Sequence, residues 1–349
     1  MISMKAAVLH GKKDLRYEDV QKPEIDDNSV LLKVRACGIC GSDLPRVLGD
    51  AANFYPIILG HEFSGEVVEV GINVSKVKIG DRATCAPLIP CFKCMDCLRG
   101  NYSLCKKYTF IGSRIQGGFA EYVKLPETSV VKFDSNISFE KGAFFEPATV
   151  ALHGIRKAEY IGGKNVAIIG SGVIGIFVMQ FAQILGAKNV FVFDNNESML
   201  NVAKKMGADF TYNTKSDFKA EIHKLTKGEG FDYVFEAAGA FETIKLAFDI
   251  AGNRSHLCLI GTPKTDGLFT VKEFEMIHRK ELNIVGSWMS YSTKFPGEEW
   301  DLVMHYFANN KLQICDDLIF AKYPLSRANE AFNLYETSKV NGKILLIND

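Results

Sequence analysis

The chain has 349 residues, 41 basic against 41 acidic side chains, 47% hydrophobic and 23% charged residues, and 9 cysteines. That length leaves room for about two domains with a buried core that needs no disulfide staples. Zero net charge argues against a general affinity for nucleic acid or an anionic membrane.

The opening residues MISMKAAVLHGKKDLRYEDV lack the apolar core and cleavage site of a secretory signal, so the expected location is the cytoplasm. In that reducing compartment the cysteines are expected as thiols or metal ligands. The uncharged stretch Val166 to Leu185 is interrupted by three glycines and reads as a strand and a helix rather than a membrane span.

Up to about Val131 the chain carries short β-type runs, SVLLKVRACGI, FSGEVVEVG and FAEYVKL, separated by Gly, Pro and Asp. They predict a compact β-rich domain. Within it Cys91, Cys94, Cys97 and Cys105 form a C-x2-C-x2-C-x7-C array. Four sulfurs close a tetrahedral zinc shell and leave no place for water or substrate, which makes the site structural. The same array suits an iron–sulfur cluster, and spacing leaves that alternative open.

From Lys164 the rhythm changes to apolar strand, helix-length segment, apolar strand: NVAIIG, NVFVFD, FDYVFEAAG, HLCLIG and ELNIVGSW. This alternation predicts a doubly wound parallel sheet with helices on both faces. After Trp288 it ends, and the chain is expected to return to its first domain. The predicted division is therefore 1–151 with 289–349, carrying a metal lobe at about 88–108, and 152–288 for the sheet.

Gly170, Ser171, Gly172, Val173, Ile174 and Gly175 follow the strand NVAIIG and open the helix-like VIGIFVMQFAQIL. Glycines there permit a tight turn and close approach to a pyrophosphate, whose charge the helix N-terminus favours. Asp194 ends the next strand, where a carboxylate accepts from ribose hydroxyls and repels a 2′-phosphate. NAD is therefore expected over NADP.

The remaining chemistry lies in three separated pieces, Cys37 to Asp43, Gly60-His61-Glu62 and Phe145-Glu146-Pro147. They offer a thiolate, an imidazole and carboxylates, the donor types of an open zinc site. Spacing does not show that they converge.

In order, GICGSD, GHEFSG, GDRATC, the four-cysteine array, GGFAEY, the Glu146-Pro147 segment and GSGVIG resemble the zinc-dependent medium-chain alcohol and polyol dehydrogenases. EAAG at 236 to 239 and GSW at 286 to 288 extend the resemblance over nearly the whole chain. The resemblance implies a GroES-like catalytic domain beside a Rossmann domain, two zinc ions per subunit, NAD, and a homodimer or homotetramer. Cys40, His61 and Glu146 then hold the catalytic zinc, with Glu62 bound or beside it. Ser42 passes on the substrate proton, and Asp43 orients His61. Where many relatives carry a relay histidine, this chain has Pro45.

The expected reaction is oxidation of a secondary hydroxyl of a polyol phosphate, galactitol 1-phosphate to tagatose 6-phosphate first, in a cleft between the domains. Arg46, Arg114 and Lys294 are the candidate phosphate-binding cations. Free sorbitol or iditol, another pentitol phosphate, 2,3-butanediol, or a nucleotide-binding protein without turnover are the alternatives.

Overall fold

The run SVLLKVRACG is rich in β-branched and aliphatic residues and forms the strand Ser29–Gly38, the hub of a seven-stranded sheet. In the computed structural model, which describes residues 2–338 and 340–348, one edge of this strand pairs antiparallel with Glu62–Val70. Tyr122–Pro126 and Lys343–Ile347 share its other edge, the first against residues 29–33 and the second against 36–38. Arg82–Cys85 and Val130–Lys132 extend the sheet on one side and Ile319–Pro324 on the other. A second sheet joins Asp14–Gln21, Ser3–Gly11 and Ile57–Ile58. Val30, Leu32, Val34, Phe63, Phe119 and Phe332 belong to the buried cluster of this unit.

The other unit holds six parallel strands: Asn165–Ile169, Asn189–Asp194, Phe210–Asn213, Phe231–Glu236, Ala251–Leu259 and Asn283–Gly286. Counted within the unit, their spatial order is 3-2-1-4-5-6. That is the Rossmann order, with the direction of winding reversing between the first and fourth strands, where ligands of such sheets bind. Phe210–Asn213 is short and half polar, so the apolar rhythm of the sequence passed over it.

By contacts, one unit comprises Met1–Glu146, Tyr291–Asn310 and Ile319–Asp349, and the other Pro147–Ser290 with Lys311–Leu318. The expected division sets the boundaries a few residues away, at 151 and 289, and differs chiefly in assigning 311–318 to the β-rich unit. Gln180 explains the difference: its Nε2 donates to the Gln313 carbonyl at 3.1 Å and its Oε1 accepts from the Gln313 amide at 2.8 Å. This paired clasp holds the segment to the helix Val173–Ile184 of the sheet unit. Among the described residues no helix is long and apolar enough to cross a membrane.

Candidate functional site

The turn leaving Ser29–Gly38 is closed twice: the Asp43 amide donates to the Cys40 carbonyl, and the Cys40 amide donates to Asp43 Oδ2, both at 3.0 Å. Asp43 stands at the N-cap position of the short helix Leu44–Val47, with its carboxylate turned to the Cys40 amide, and Pro45 stands in the first turn, where a missing backbone donor costs nothing. Ser42 Oγ donates to Cys40 Sγ at 3.3 Å. Across the sheet Gly38 is paired with Glu62, so the start of Glu62–Val70 delivers His61 and Glu62 beside this turn. Donor atoms of Cys40, His61 and Glu62 all lie within 4.8 Å of one another.

Charge dominates the cluster. His61 is 4% exposed, Glu62 2% and Asp43 0%. Burial, followed by the Glu62 charge, pushes the Cys40 thiol far above its ordinary range. Glu146 is raised to about 7, chiefly by burial, with the His61 charge opposing and that of Glu62 adding. Asp43 is raised by burial against the pull of His61 and Arg46. Lys343 is buried too, and its ammonium donates to Glu62 Oε2 at 2.5 Å and to the Ile39 carbonyl at 3.3 Å. Desolvation depresses Lys343, but Glu62 and Cys40 outweigh it and its pKa is raised.

With its groups ionised, the cluster opposes the anions of Cys40, Asp43, Glu62 and Glu146 to the cations Arg46 and Lys343. A divalent ion makes up the difference, and a soft thiolate with an imidazole and a carboxylate is a donor set that suits zinc. His61 Nδ1 faces Asp43 Oδ1 at 3.7 Å, which leaves Nε2 as the ring nitrogen for the ion. Glu146, expected from the sequence as a donor, is not among the three whose donor atoms lie within 4.8 Å of one another, whereas Glu62, expected at or beside the ion, is.

The three candidate cations go to different places. Arg46 Nη1 donates to the Ser42 carbonyl at 2.6 Å and to Ser42 Oγ at 3.1 Å, so it borders the cluster. Arg114 instead folds over the Tyr108 ring, 4.0 Å from its centroid, and donates to the Tyr108 carbonyl and hydroxyl at 3.1 and 3.2 Å. Both chain neighbours of Lys294 rest on the four-cysteine lobe: Thr293 lies against Gly100, and Phe295 packs edge-on to Phe92 and Tyr102.

In that lobe the Sγ atoms of Cys94 and Cys97 lie 3.5 Å apart, and those of Cys91 and Cys97, and of Cys94 and Cys105, 3.9 Å apart. Four thiolates about 2.3 Å from one zinc stand about 3.8 Å from each other along the edges of a tetrahedron. The array is therefore spaced for one ion; a cluster of several irons would hold the sulfurs farther apart. Cys94 is lowered to about 6, first by the backbone amide of Cys97, and Cys91 is lowered first by that of Lys93. Amides aimed at sulfur favour the thiolate a metal requires.

At the other candidate site the glycines have distinct reasons. Gly170 has φ +98°, and a Cβ there would lie 2.8 Å from the Ala238 nitrogen. At Gly175 a Cβ would fall 1.8 Å from the Gly170 carbonyl, whereas Gly172 opens onto free space. Asp194 holds this loop: Ser171 donates to its Oδ2 through both N and Oγ at 2.7 Å, and the Asn196 amide donates to Oδ1 at 2.9 Å. On the neighbouring strand Glu236 Oε1 accepts from Ala238 N, Gly239 N and Thr243 Oγ1 at 2.8 to 2.9 Å. Its buried Oε2 has no hydrogen-bond partner.

Residues 26–135 match the family model for the alcohol dehydrogenase GroES-like domain, and residues 173–305 that for zinc-binding dehydrogenases. The chain belongs to the zinc-binding medium-chain dehydrogenases. It is 40% identical over 346 residues to galactitol 1-phosphate 5-dehydrogenase of Escherichia coli K12, covering 99% of this chain and 100% of that protein. The crystal structure of the Escherichia coli galactitol-1-phosphate dehydrogenase superposes with a TM-score of 0.94 at 39% identity, over 99% of this chain and 100% of that one. D-arabitol-phosphate dehydrogenase of Enterococcus avium is 33% identical, over 93% and 91% of the two chains. A Sinorhizobium meliloti 1021 protein of zinc-binding-dehydrogenase type, solved with NADP, is 30% identical with a TM-score of 0.89 and full coverage of both chains. The family is thus one of zinc-dependent oxidoreductases, and the four-cysteine lobe has the spacing of its structural zinc.

Lys343 and Gly38 escaped the sequence reading. Lys343 follows Glu62 by 281 residues, and no motif links them. Phe110, packed edge-on to His61 at 5.5 Å between centroids, was missed for the same reason.

Proposed function

We propose that this chain is an NAD-dependent polyol-phosphate dehydrogenase oxidising a secondary hydroxyl to a ketone, with galactitol 1-phosphate to tagatose 6-phosphate as the first reaction to test. The observation that carries the phosphate is the Arg46 guanidinium 3.1 Å from Ser42 Oγ. Arginine binds phosphate bidentately, and the relatives named for phosphorylated polyols support the same substrate class.

Cys40, His61 and Glu62 would hold the catalytic zinc, with Glu146 beside them and Asp43 fixing the His61 ring. When bound, zinc acidifies the substrate hydroxyl and the nicotinamide ring accepts hydride from its carbon. Ser42 Oγ would take the hydroxyl proton as it gives up its own to water or to the cofactor ribose. Arg46 does not pass it on, because a guanidinium stays protonated; it would meet the substrate's phosphate where the bound chain folds back past Ser42. The loop from Gly170 to Gly175 would cradle the pyrophosphate, with Ser171, Val173 and Ile174 offering the backbone around it. Asp194 would accept from the ribose hydroxyls, which favours NAD. Asn283–Gly286, at the open edge of the parallel sheet, offers a strand for pairing with a second copy. The cytoplasm is the proposed location.

The test is reduction of NAD and of NADP with a panel of phosphorylated and free polyols. Galactitol 1-phosphate with NAD should turn over fastest, and Arg46→Ala should remove the preference for phosphorylated substrates. Faster turnover of free sorbitol or 2,3-butanediol, insensitive to Arg46→Ala, would replace this reading. Absence of any turnover with two zinc ions bound would leave a nucleotide-binding protein.

A further inference from the structure

In the parallel sheet Ile169 pairs with Glu236 and Glu236 with Leu259, so the turns that follow these three neighbouring strands leave the sheet at one level. Each of them is tied to Glu236 or to the residues it holds. Its Oε1 accepts from the amides of Ala238 and Gly239 and from Thr243 Oγ1, which fixes the turn after its own strand. Its main-chain carbonyl accepts from the amides of Ile260 at 2.8 Å and Gly261 at 2.9 Å, which fixes the turn after Ala251–Leu259. The glycine loop joins through the next residues: the Ala237 amide donates to the Ile169 carbonyl at 2.8 Å, and Gly170 rests against Ala238. Gly261 closes the group, since a Cβ there would lie 2.2 Å from the Gly239 nitrogen and 2.8 Å from Glu236 Oε2.

We infer that Glu236 is a positioning residue for the dinucleotide: it holds the turns 237–240 and 260–262 against the glycine loop and so fixes one wall of the crevice in which the cofactor lies. This rests on the dinucleotide reading of Gly170 to Gly175 given above. In a sheet of this order the ligand crevice opens outside the carboxyl ends of the first and fourth strands, which here are Ile169 and Glu236. Glu236 itself is fully buried, so it acts through the backbone it holds. Ala237, Ala238, Gly239 and Gly261 have no bulk with which to adjust to a ligand, and the fit is left to where their backbone stands. An apolar side chain at 236 would leave the Ala238 and Gly239 amides and the Thr243 hydroxyl without their acceptor, and the turn would move to find others.

The experiment measures cofactor affinity apart from turnover. Wild type, Glu236→Ala, Glu236→Gln and Thr243→Val are titrated with NAD by calorimetry in the absence of any polyol, at a temperature where circular dichroism shows each to be folded. Glu236→Ala should bind NAD roughly tenfold more weakly, as when the support behind a binding group is removed. Glu236→Gln, which offers an oxygen to the same donors, should restore affinity to within about twofold of wild type. Thr243→Val takes away one donor alone and should weaken binding by about threefold; it decides the matter if Glu236→Ala does not fold. Wild-type affinity in a folded Glu236→Ala or in Thr243→Val, with only the unfolding midpoint lowered, would reduce Glu236 to a structural residue and overturn the inference. A loss in Glu236→Gln equal to that in Glu236→Ala would overturn it as well, since the hydrogen bonds would then not be what matters. A wild type that binds neither NAD nor NADP would instead overturn the dinucleotide reading on which it stands.

Discussion

His61 Nδ1 lies 3.7 Å from Asp43 Oδ1, and neither buried atom has a hydrogen-bond partner. Unsatisfied polar atoms facing each other in a dry site mark a contact that tightens when the imidazole is drawn to an ion through its other nitrogen. Asp43→Asn should therefore lower affinity for the catalytic zinc by roughly 10- to 100-fold, with the four-cysteine ion retained. Chelator competition followed by metal analysis reads this out; equal affinity in the two proteins would remove the orienting role of Asp43.

The four-cysteine lobe carries exposed Met95, Leu98 and Leu104 and depends on its ion rather than on a core of its own. Cys97→Ser should drop the zinc content by one ion and expose residues 91–105 to protease, with the second ion still bound. Loss of both ions together would mean that the two seats are not independent.

In the proposed reading Asp194 would have a double task, since Ser171 already donates to it twice. Asp194→Ala should raise the KM for NAD by about tenfold and narrow the preference over NADP. Ser171→Ala, which leaves the carboxylate in place, should keep that preference. Unchanged selectivity in Asp194→Ala would end the ribose assignment.

Glu236 is held above its ordinary pKa by burial, against the hydrogen bonds from Gly239, Thr243 and Ala238. A carboxyl raised on folding contributes stability that is complete below its unfolded pKa and is lost as pH climbs through the folded value. As pH rises above the ordinary glutamate range, the unfolding midpoint of the wild type should carry this downward component. Glu236→Gln keeps an acceptor for the same donors and should flatten it. Calorimetric scans of both proteins over that range decide the point, and parallel curves would discharge Glu236 from the effect.

What could be read from the sequence was local. The glycine loop and the four-cysteine array each lie within one short stretch, so their spacing alone carries the geometry. Asp194 falls at the end of a strand whose apolar run announces it. The candidate donors of the open metal cluster, at positions 40, 61, 62 and 146, were joined only by resemblance; Glu62 stands among the three clustered ones because it lies opposite Gly38 in the sheet. Arg46 was one of three equal candidates until the four-residue helical turn carried it back over Ser42. Lys343 could not be found at all, since its meeting with Glu62 depends on register between strands far apart in the chain. The clasp of Gln180 on Gln313 was hidden for the same reason.

The four sulfur donors of the lobe are all made before residue 106, whereas the ammonium beside Glu62 is added only after every strand of the parallel sheet has been synthesised. The two metal seats are therefore born at different times on the ribosome. An ion can staple the lobe while translation is still under way, but the other seat acquires its full charge balance only when the chain has come back to its first sheet.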